Sequence, residues 1–230
     1  MDIFTLGFGE IVRILLLSND GDSVGNIFLL PDGSWDWSRL AGQRWFLRAA
    51  KQRGVEEFVG FVNSPPVSMT RNGRAHSSGG EASNLAPERY RDFANYLRDV
   101  TVQLQRTEGV LLDYISPVNE PQWDWSNQPG QASQEGSPWS NTEIYKVVTT
   151  LDSALSARRL SSKIMITEAG SLEYLYNNKG NAATQIQQFF GKGSPLQLSK
   201  LTHMAGFVGG HSYFTDAGDT NRIKVRQSLR

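Results

Sequence analysis

The sequence contains no cysteine and few histidines, which limits the chemistry open to it. Without cysteine the chain forms no disulfide and has no thiolate nucleophile. Its three histidines, His76, His203 and His211, are scattered along the chain and lack the paired spacing of a zinc site. No glycine-rich phosphate-binding pattern occurs either. We therefore expect a protein that works without a metal and without another cofactor.

An excess of charge of one sign is also absent, because 23 Lys and Arg residues are balanced by 23 Asp and Glu residues. Binding to nucleic acid through phosphates needs a basic excess, so nucleic acid is not expected as a partner. No apolar run approaches the ~20 residues of a membrane-spanning helix, so no membrane partner is expected. The N-terminus does not resemble a signal peptide, since Asp2, Glu10 and Arg13 interrupt its apolar residues.

The sequence does contain a regular alternation of strand-like and helix-like segments. Four segments are typical of buried strands, and Ile11–Leu17 is a weaker fifth candidate. Helices that join parallel strands explain this order most simply. With no repeat and no linker, the sequence indicates one α/β domain over residues 1–230. The strands are predicted near residues 57–62, 111–118, 163–168 and 204–209, with helices from about 38 to 53, from 87, from 140 and from about 182 to 190.

One stretch combines a strand end with residues suited to catalysis. Asn119 and Glu120 follow an apolar strand, and Pro121 fixes the backbone just after the carboxylate. In parallel α/β proteins the carboxyl ends of the strands carry the chemistry. Trp123 and Trp125 add flat apolar faces of the kind on which sugar rings pack. This stretch is the candidate centre of an active site.

Two long polar loops, residues 65–86 and 122–139, follow strand ends on the same side as Glu120. Loops of this length in compact domains usually have a function. Glu135, in the second loop, is expected to be solvated. The tryptophans outside the Glu120 stretch are predicted to be packing residues: Trp35, Trp37, Trp45 and Trp139.

Three motifs in a fixed order make the sequence similar to a known family. They are Gly60–Gly73, Leu85–Tyr90 and Asp113–Trp123, and the last contains the Asn-Glu-Pro sequence. Together they resemble glycoside hydrolase family 30 and, within it, the endo-β-1,6-galactanase-like branch. The similarity extends over about residues 28–214, and residues 1–27 match poorly.

The resemblance implies a fold and a reaction. Members of the family are (β/α)8 TIM barrels, which typically need about 250 residues and eight strands. The four clear strands correspond to the third to sixth barrel strands, so the barrel is expected to be incomplete, with strands seven and eight beyond Arg230. The implied reaction is cleavage of a β-linked, β-1,6-galactan-like glycan by the retaining double-displacement mechanism. Family members are usually extracellular.

The resemblance also implies roles for individual residues. Glu120 matches the acid/base that protonates the leaving sugar oxygen and then activates water. Asn119 matches the residue that hydrogen-bonds the sugar 2-hydroxyl. The nucleophile ends strand seven in the family and is expected beyond Arg230, whereas Glu168 belongs to the neighbouring fifth strand and is expected to contact substrate. Further residues predicted to bind substrate are Asn63, Trp123, His211 and Tyr213.

Three interpretations are open at this point. The first is an active O-glycosyl hydrolase that acts on an oligo- or polysaccharide. The second is an inactive fragment or carbohydrate-binding remnant that keeps one wall of the cleft and lacks the nucleophile. The third is an α/β interaction domain with no affinity for sugars. Turnover of aryl β-glycosides, with Glu120→Gln as the control, separates the first from the second, and the third predicts no affinity for sugars at all.

Overall fold

The computed structural model describes residues 11–17, 28–30, 32–126, 134–213 and 220–228, with the backbone alone for residues 11–17. Most of the poorly matching segment 1–27 lies outside these residues. The strands of the described part are β1 Ile11–Leu17, β2 Glu57–Val62, β3 Tyr114–Ser116, β4 Lys163–Ala169 and β5 Met204–Gly210. The helices of the same part are α1 Ala41–Gln52, α2 Tyr90–Glu108, α3 Asn141–Ala157, α4 Glu173–Tyr176, α5 Gln185–Phe190 and α6 Asn221–Ser228, with a 3-10 turn at Val67–Met69.

The sheet is parallel throughout, and its strands lie side by side in chain order from β1 to β5. A doubly wound sheet would reverse its strand order at one point, whereas successive staves of a TIM barrel follow one another without reversal. The weaker candidate Ile11–Leu17 is indeed a strand and pairs with β2. Within the described residues the five strands form an open part of a barrel, as the family resemblance predicted.

Strand β3 is much shorter than the predicted strand over residues 111–118. Pro117 has no N–H to donate to a neighbouring strand, so the pairing ends at Ser116. Just before β3 begins, the Asp113 side chain contributes to the pairing with β2, because its Oδ2 accepts the Phe58 N–H at 2.9 Å. The prediction was therefore right about the strand and wrong about both of its ends.

The core lies between the sheet and the helices α2 and α3. The predicted apolar stripes of both helices are buried, and the helices pack against each other. These stripes contribute Tyr90, Phe93, Ala94, Leu97, Val100, Thr101 and Leu104 from α2 and Ile144, Val147, Val148, Leu151, Ala154 and Leu155 from α3. None of the described helices is long and apolar enough to cross a membrane.

The tryptophans predicted to pack do so with one exception. Trp35 stacks on Trp37 with ring centroids 4.5 Å apart, and Trp139 is 1% exposed. Trp45 is 61% exposed, so its predicted packing role is wrong. The buried residues of α1 are Leu47, two positions further on, and Ala50. Two positions correspond to ~200° around a helix, which turns Trp45 away from the core.

The start of α3 is tied to the long loop of residues 65–86 through Glu143. The predicted capping box is present, because Ser140 N–H donates to Glu143 Oε2 at 2.9 Å and Ser140 Oγ accepts the Glu143 N–H at 3.3 Å. The Ser83 N–H of the loop also donates to the Glu143 carboxylate, at 3.1 Å to each oxygen. One side chain therefore anchors both the helix and the loop.

Candidate active site

The carboxyl edge of the sheet gathers polar side chains from four neighbouring strands. Asn63 directly follows β2, and Asn119 and Glu120 follow β3. Glu168 is the next-to-last residue of β4, and His211 directly follows β5. Because the strands are parallel, all of these residues lie at the same edge, as the sequence predicted.

Three of these side chains form a hydrogen-bonded cluster, the Glu120–His211–Glu168 cluster. His211 Nδ1 lies 2.5 Å from Glu120 Oε1, and His211 Nε2 lies 3.2 Å from Glu168 Oε2. Glu120 is 6% exposed, and Glu168 and His211 are each 2% exposed. The imidazole thus bridges two buried carboxyl groups from different strands, which places His211 closer to Glu120 than the sequence indicated.

Burial and the neighbouring carboxylates have opposite effects on the pKa of His211. Burial alone lowers the pKa of an imidazole, because the protonated form loses its hydration. The hydrogen bonds with Glu120 and then Glu168, together with the charges of these carboxylates, outweigh burial and raise the pKa of His211 above its usual range. The protonated form of His211 is therefore favoured within the cluster.

Backbone contacts hold the cluster residues in place. Glu120 N–H donates to the Glu168 carbonyl at 2.9 Å, and His211 N–H donates to the Ala169 carbonyl at 2.8 Å. Glu120 and Glu168 both have a left-handed backbone, with φ of 44° and 51°. Non-glycine residues adopt this region at a cost and cluster at functional sites when they do.

Asn119 is buried beside Glu120, and its side-chain oxygen is unsatisfied. Its Oδ1 has no hydrogen-bond partner among the residues that the structure describes. A buried acceptor without a donor costs roughly 1–3 kcal/mol. Such an atom is expected to be satisfied when a ligand with a hydroxyl group enters the site.

Trp123 is half-buried and lies against the loop that follows β4. A Cβ atom on Gly170 would come within 2.3 Å of Trp123 Nε1, so only glycine allows this approach. The ring also meets Tyr174 edge-on, with centroids 6.0 Å apart. Gln122 supports the loop, since its Oε1 accepts the Gly170 N–H at 3.0 Å. The structural role of Gln122 was not predicted, because a glutamine in a polar loop carries no pattern.

Trp125 connects the loop after Glu120 to the next polar loop. Its Nε1–H donates to the Glu120 carbonyl at 3.0 Å, and its carbonyl accepts the Ser77 N–H at 3.1 Å. Its ring lies directly over Gly136, where an added Cβ would be 2.1 Å from the ring atom Cδ2. The indole is therefore held between the backbone of Glu120 and a glycine.

We expect Gly136→Ala to displace the Trp125 ring and to lower the free energy of unfolding by about 1–3 kcal/mol, the usual cost of adding a methyl group where there is no space. Urea unfolding measures this change. Gly42→Ala on the exposed side of α1 is the control, because nothing lies within 4 Å of the added atom. Equal stability of the two variants would contradict the packing described for Trp125.

Asn63 forms a pair with Glu135, which the sequence analysis did not foresee. Asn63 Nδ2 donates to Glu135 Oε1 at 3.1 Å, and Glu135 is buried rather than solvated as predicted. The reason is the loop around it: Gly136 N–H donates to the Ala75 carbonyl at 2.9 Å, and Trp139 is buried in the core. The second polar loop is thus folded inward onto the first.

The other residues named from the sequence differ in their surroundings. Tyr213 is 42% exposed and meets the His211 ring with centroids 5.0 Å apart, so it lies at the rim of the cluster. His203 is buried away from it, with its ring nitrogens near the Ser162 carbonyl and Ser156 Oγ. No group of three or more His, Asp or Glu side chains in the described part of the chain has the arrangement of a metal site.

Comparison with known proteins gives one curated relative and several solved structures that superpose on the chain. The chain is 31% identical over 140 residues to an endo-beta-1,6-galactanase of Hypocrea rufa, which covers 61% of this chain and 29% of that protein. The crystal structure of a conserved exported protein from Bacteroides fragilis superposes with a TM-score of 0.84 at 30% identity, covering 95% of this chain and 48% of that one. The glycoside hydrolase family 30 subfamily 8 xylanase Xyn30A of Clostridium acetobutylicum superposes with a TM-score of 0.61 at 19% identity, over 90% of this chain and 43% of that one, which shows the fold alone.

The family model for O-glycosyl hydrolase family 30 matches residues 20–230, nearly the whole chain. The chain spans about half the length of the Bacteroides fragilis protein and less of the curated relative. The order of parallel strands and the polar residues at their carboxyl edge agree with this match. The chain therefore belongs to O-glycosyl hydrolase family 30.

Proposed function

We propose that this chain carries the acid/base half of a glycosidase active site and that its substrate is a β-1,6-galactan-like glycan. The family and the name of the Hypocrea rufa relative support glycan hydrolysis and this linkage. The retaining mechanism needs two carboxyl groups, an acid/base and a nucleophile. Glu120 is the acid/base: it protonates the leaving sugar oxygen and then takes a proton from the attacking water.

The observation that carries the proposal is the unsatisfied oxygen of Asn119 next to Glu120. A sugar hydroxyl is both a donor and an acceptor, so it pairs with an amide in this position. A hydroxyl adjacent to the cleaved bond would bring that bond to the Glu120 carboxyl group. Asn119 is thus proposed to bind the sugar 2-hydroxyl.

The remaining site residues are proposed to bind the sugar around this centre. Trp123 offers a half-buried ring face, and Asn63 is oriented by Glu135. His211 hydrogen-bonds Glu120 and is itself engaged by Glu168, and Tyr213 is exposed at the rim of the cluster. Glu168 lies on the strand next to that of Glu120 and is engaged by His211, which favours a supporting role over that of the nucleophile.

The second interpretation, a carbohydrate-binding remnant, is the alternative candidate. The described strands form an open part of a barrel with one wall of a cleft. A protein with this wall of the cleft and no nucleophile would bind glycans without cleaving them. The exported relative also supports an extracellular location, where such glycans occur.

The test is binding and cleavage of β-1,6-galacto-oligosaccharides by this polypeptide, measured by calorimetry and by release of reducing ends. β-1,6-gluco-oligosaccharides are the matched control, because they differ only in the configuration of the 4-hydroxyl. We expect binding of the galactose series and, with a nucleophile present, a product of retained configuration. Binding without cleavage would favour the remnant, and absence of both would contradict a glycan-binding site.

A further inference from the structure

His211 lies between two carboxyl groups that reach it from different strands, and both of its ring nitrogens are engaged. Glu120 lies on the Nδ1 side and Glu168 on the Nε2 side. In the described part of the chain, the titratable side chains seen in contact with His211 are these two and Tyr213, whose ring lies against the imidazole. No cationic side chain is seen among these contacts.

The hydrogen-bonding capacity of imidazole restricts where protons lie in this cluster. A neutral imidazole has one N–H donor and one bare acceptor, whereas the protonated ring has two donors. An ionised Glu168 can only accept, so Nε2 carries a hydrogen whenever Glu168 is ionised. Nδ1 then faces Glu120 either as an acceptor from Glu120 O–H or as a donor to the Glu120 carboxylate.

We propose that Glu168 is a positioning residue that, by holding the proton on Nε2 of His211, makes Nδ1 of His211 and Oε1 of Glu120 share a single proton. This proposal rests on the proposed role of Glu120 as the acid/base. Moving the shared proton breaks an N–H bond at His211 and forms an O–H bond at Glu120, or the reverse, and changes no other bond. The proton is then transferred from Glu120 to the leaving oxygen.

The burial and charge of the cluster support this assignment. The side chains of Glu120, His211 and Glu168 are 8%, 3% and 2% exposed, so water competes little for their hydrogen bonds. Two carboxylates on one imidazole stabilise its protonated form more than burial destabilises it, and they raise the pKa of His211. The shared proton is therefore retained at a pH where an isolated carboxyl group has lost its own.

The test is a pH titration of the histidine ring resonances by NMR, which needs no substrate. The chain has three histidines, so His211→Asn identifies the His211 signals by their absence. In the parent chain we expect His211 to titrate above the usual histidine range and its neutral form to carry the proton on Nε2. In Glu168→Gln, which keeps the shape of the side chain, we expect the titration to move to lower pH and the tautomer preference to weaken.

Two further variants make the result decisive. Glu88→Gln, in the exposed turn just before α2, removes a carboxylate elsewhere and should leave the His211 titration unchanged. Glu120→Gln removes the other carboxylate of the cluster and should also lower the pH at which His211 titrates. An ordinary titration of His211 in the parent chain, or a Glu168→Gln titration equal to that of the parent, would overturn the proposal.

A kinetic measurement separates this proposal from the proposed function itself. If the protein cleaves a β-1,6-galacto-oligosaccharide, Glu168→Gln should lower kcat and shift the alkaline limb of the kcat/KM profile to lower pH, with little change in KM. A contact of Glu168 with substrate alone would instead raise KM and leave the pH profile in place. The NMR result stands without any cleavage, so failure of one proposal does not imply failure of the other.

Discussion

In a polypeptide that also supplies the nucleophile, Glu120→Gln is expected to reduce the rate of cleavage of β-1,6-galacto-oligosaccharides by about 10²–10⁴-fold, the contribution usual for a positioned general acid or base. The amide keeps the size of the side chain but cannot supply the proton that a sugar leaving group needs. The measurement is kcat/KM from the release of reducing ends. Glu88→Gln, which changes an exposed carboxylate in the turn before α2, is the matched control and should retain the parent activity.

The choice of leaving group shows whether the loss has the expected cause. An aryl β-galactoside with an acidic phenol leaves without a proton, so bond cleavage in Glu120→Gln should be affected much less than with the oligosaccharide. Equal losses on both substrates would indicate that the variant disturbs the fold or the nucleophile instead. Unchanged cleavage of the oligosaccharide would exclude Glu120 as the acid/base.

Trp139→Ala is expected to lower the free energy of unfolding by about 3–5 kcal/mol, the range for truncating a large buried aromatic residue. Trp139 is 1% exposed and meets the rings of Tyr90 and Phe93 with centroids 6.5 Å away. Its backbone N–H, which the alanine variant keeps, donates to the Pro121 carbonyl at 3.1 Å. The cavity would open directly behind the loop that holds Glu120. Urea or thermal unfolding measures the loss.

Trp45→Ala is the control for this prediction, because it removes the same side chain from a position that is 61% exposed. Exposed substitutions away from special contacts usually change stability by no more than about 0.5 kcal/mol. A similar cost for the two variants would show that Trp45 is covered in solution. A small cost for Trp139→Ala would contradict its place in the core.

The order of strands and helices and the edge that carries the site were predictable because both follow from short-range patterns. Period-3.6 stripes marked α2 and α3, and the Asn-Glu-Pro sequence marked the loop that follows β3. The ends of β3 were not predictable, since Pro117 cannot continue the pairing at one end and the Asp113 side chain accepts a backbone N–H of β2 at the other. The periodicity of apolar residues indicates which face of a segment is buried, but it does not indicate which backbone and side-chain atoms form hydrogen bonds.

The contacts within the site were harder to predict than its position. Asn119, Glu120, Glu168 and His211 were identified from their place at strand ends and from the family resemblance, but the bridge through His211 spans 91 residues to Glu120 and 43 to Glu168. Such a contact depends on how far each strand extends, and neither the composition nor the spacing of residues indicates this length. The burial of Glu135 was missed for the same reason, because it follows from the inward fold of its loop.

Glu143 accepts hydrogen bonds from two segments and so links the long loop after β2 to the first turn of α3. Ser83 and Ser140 both donate their N–H groups to this carboxylate. Lifting the loop and unwinding the first turn of α3 therefore share one energetic barrier, and the two amides are expected to exchange with deuterated solvent at a common rate. Anything that enters beneath this loop would slow the exchange of a helix end that it never touches.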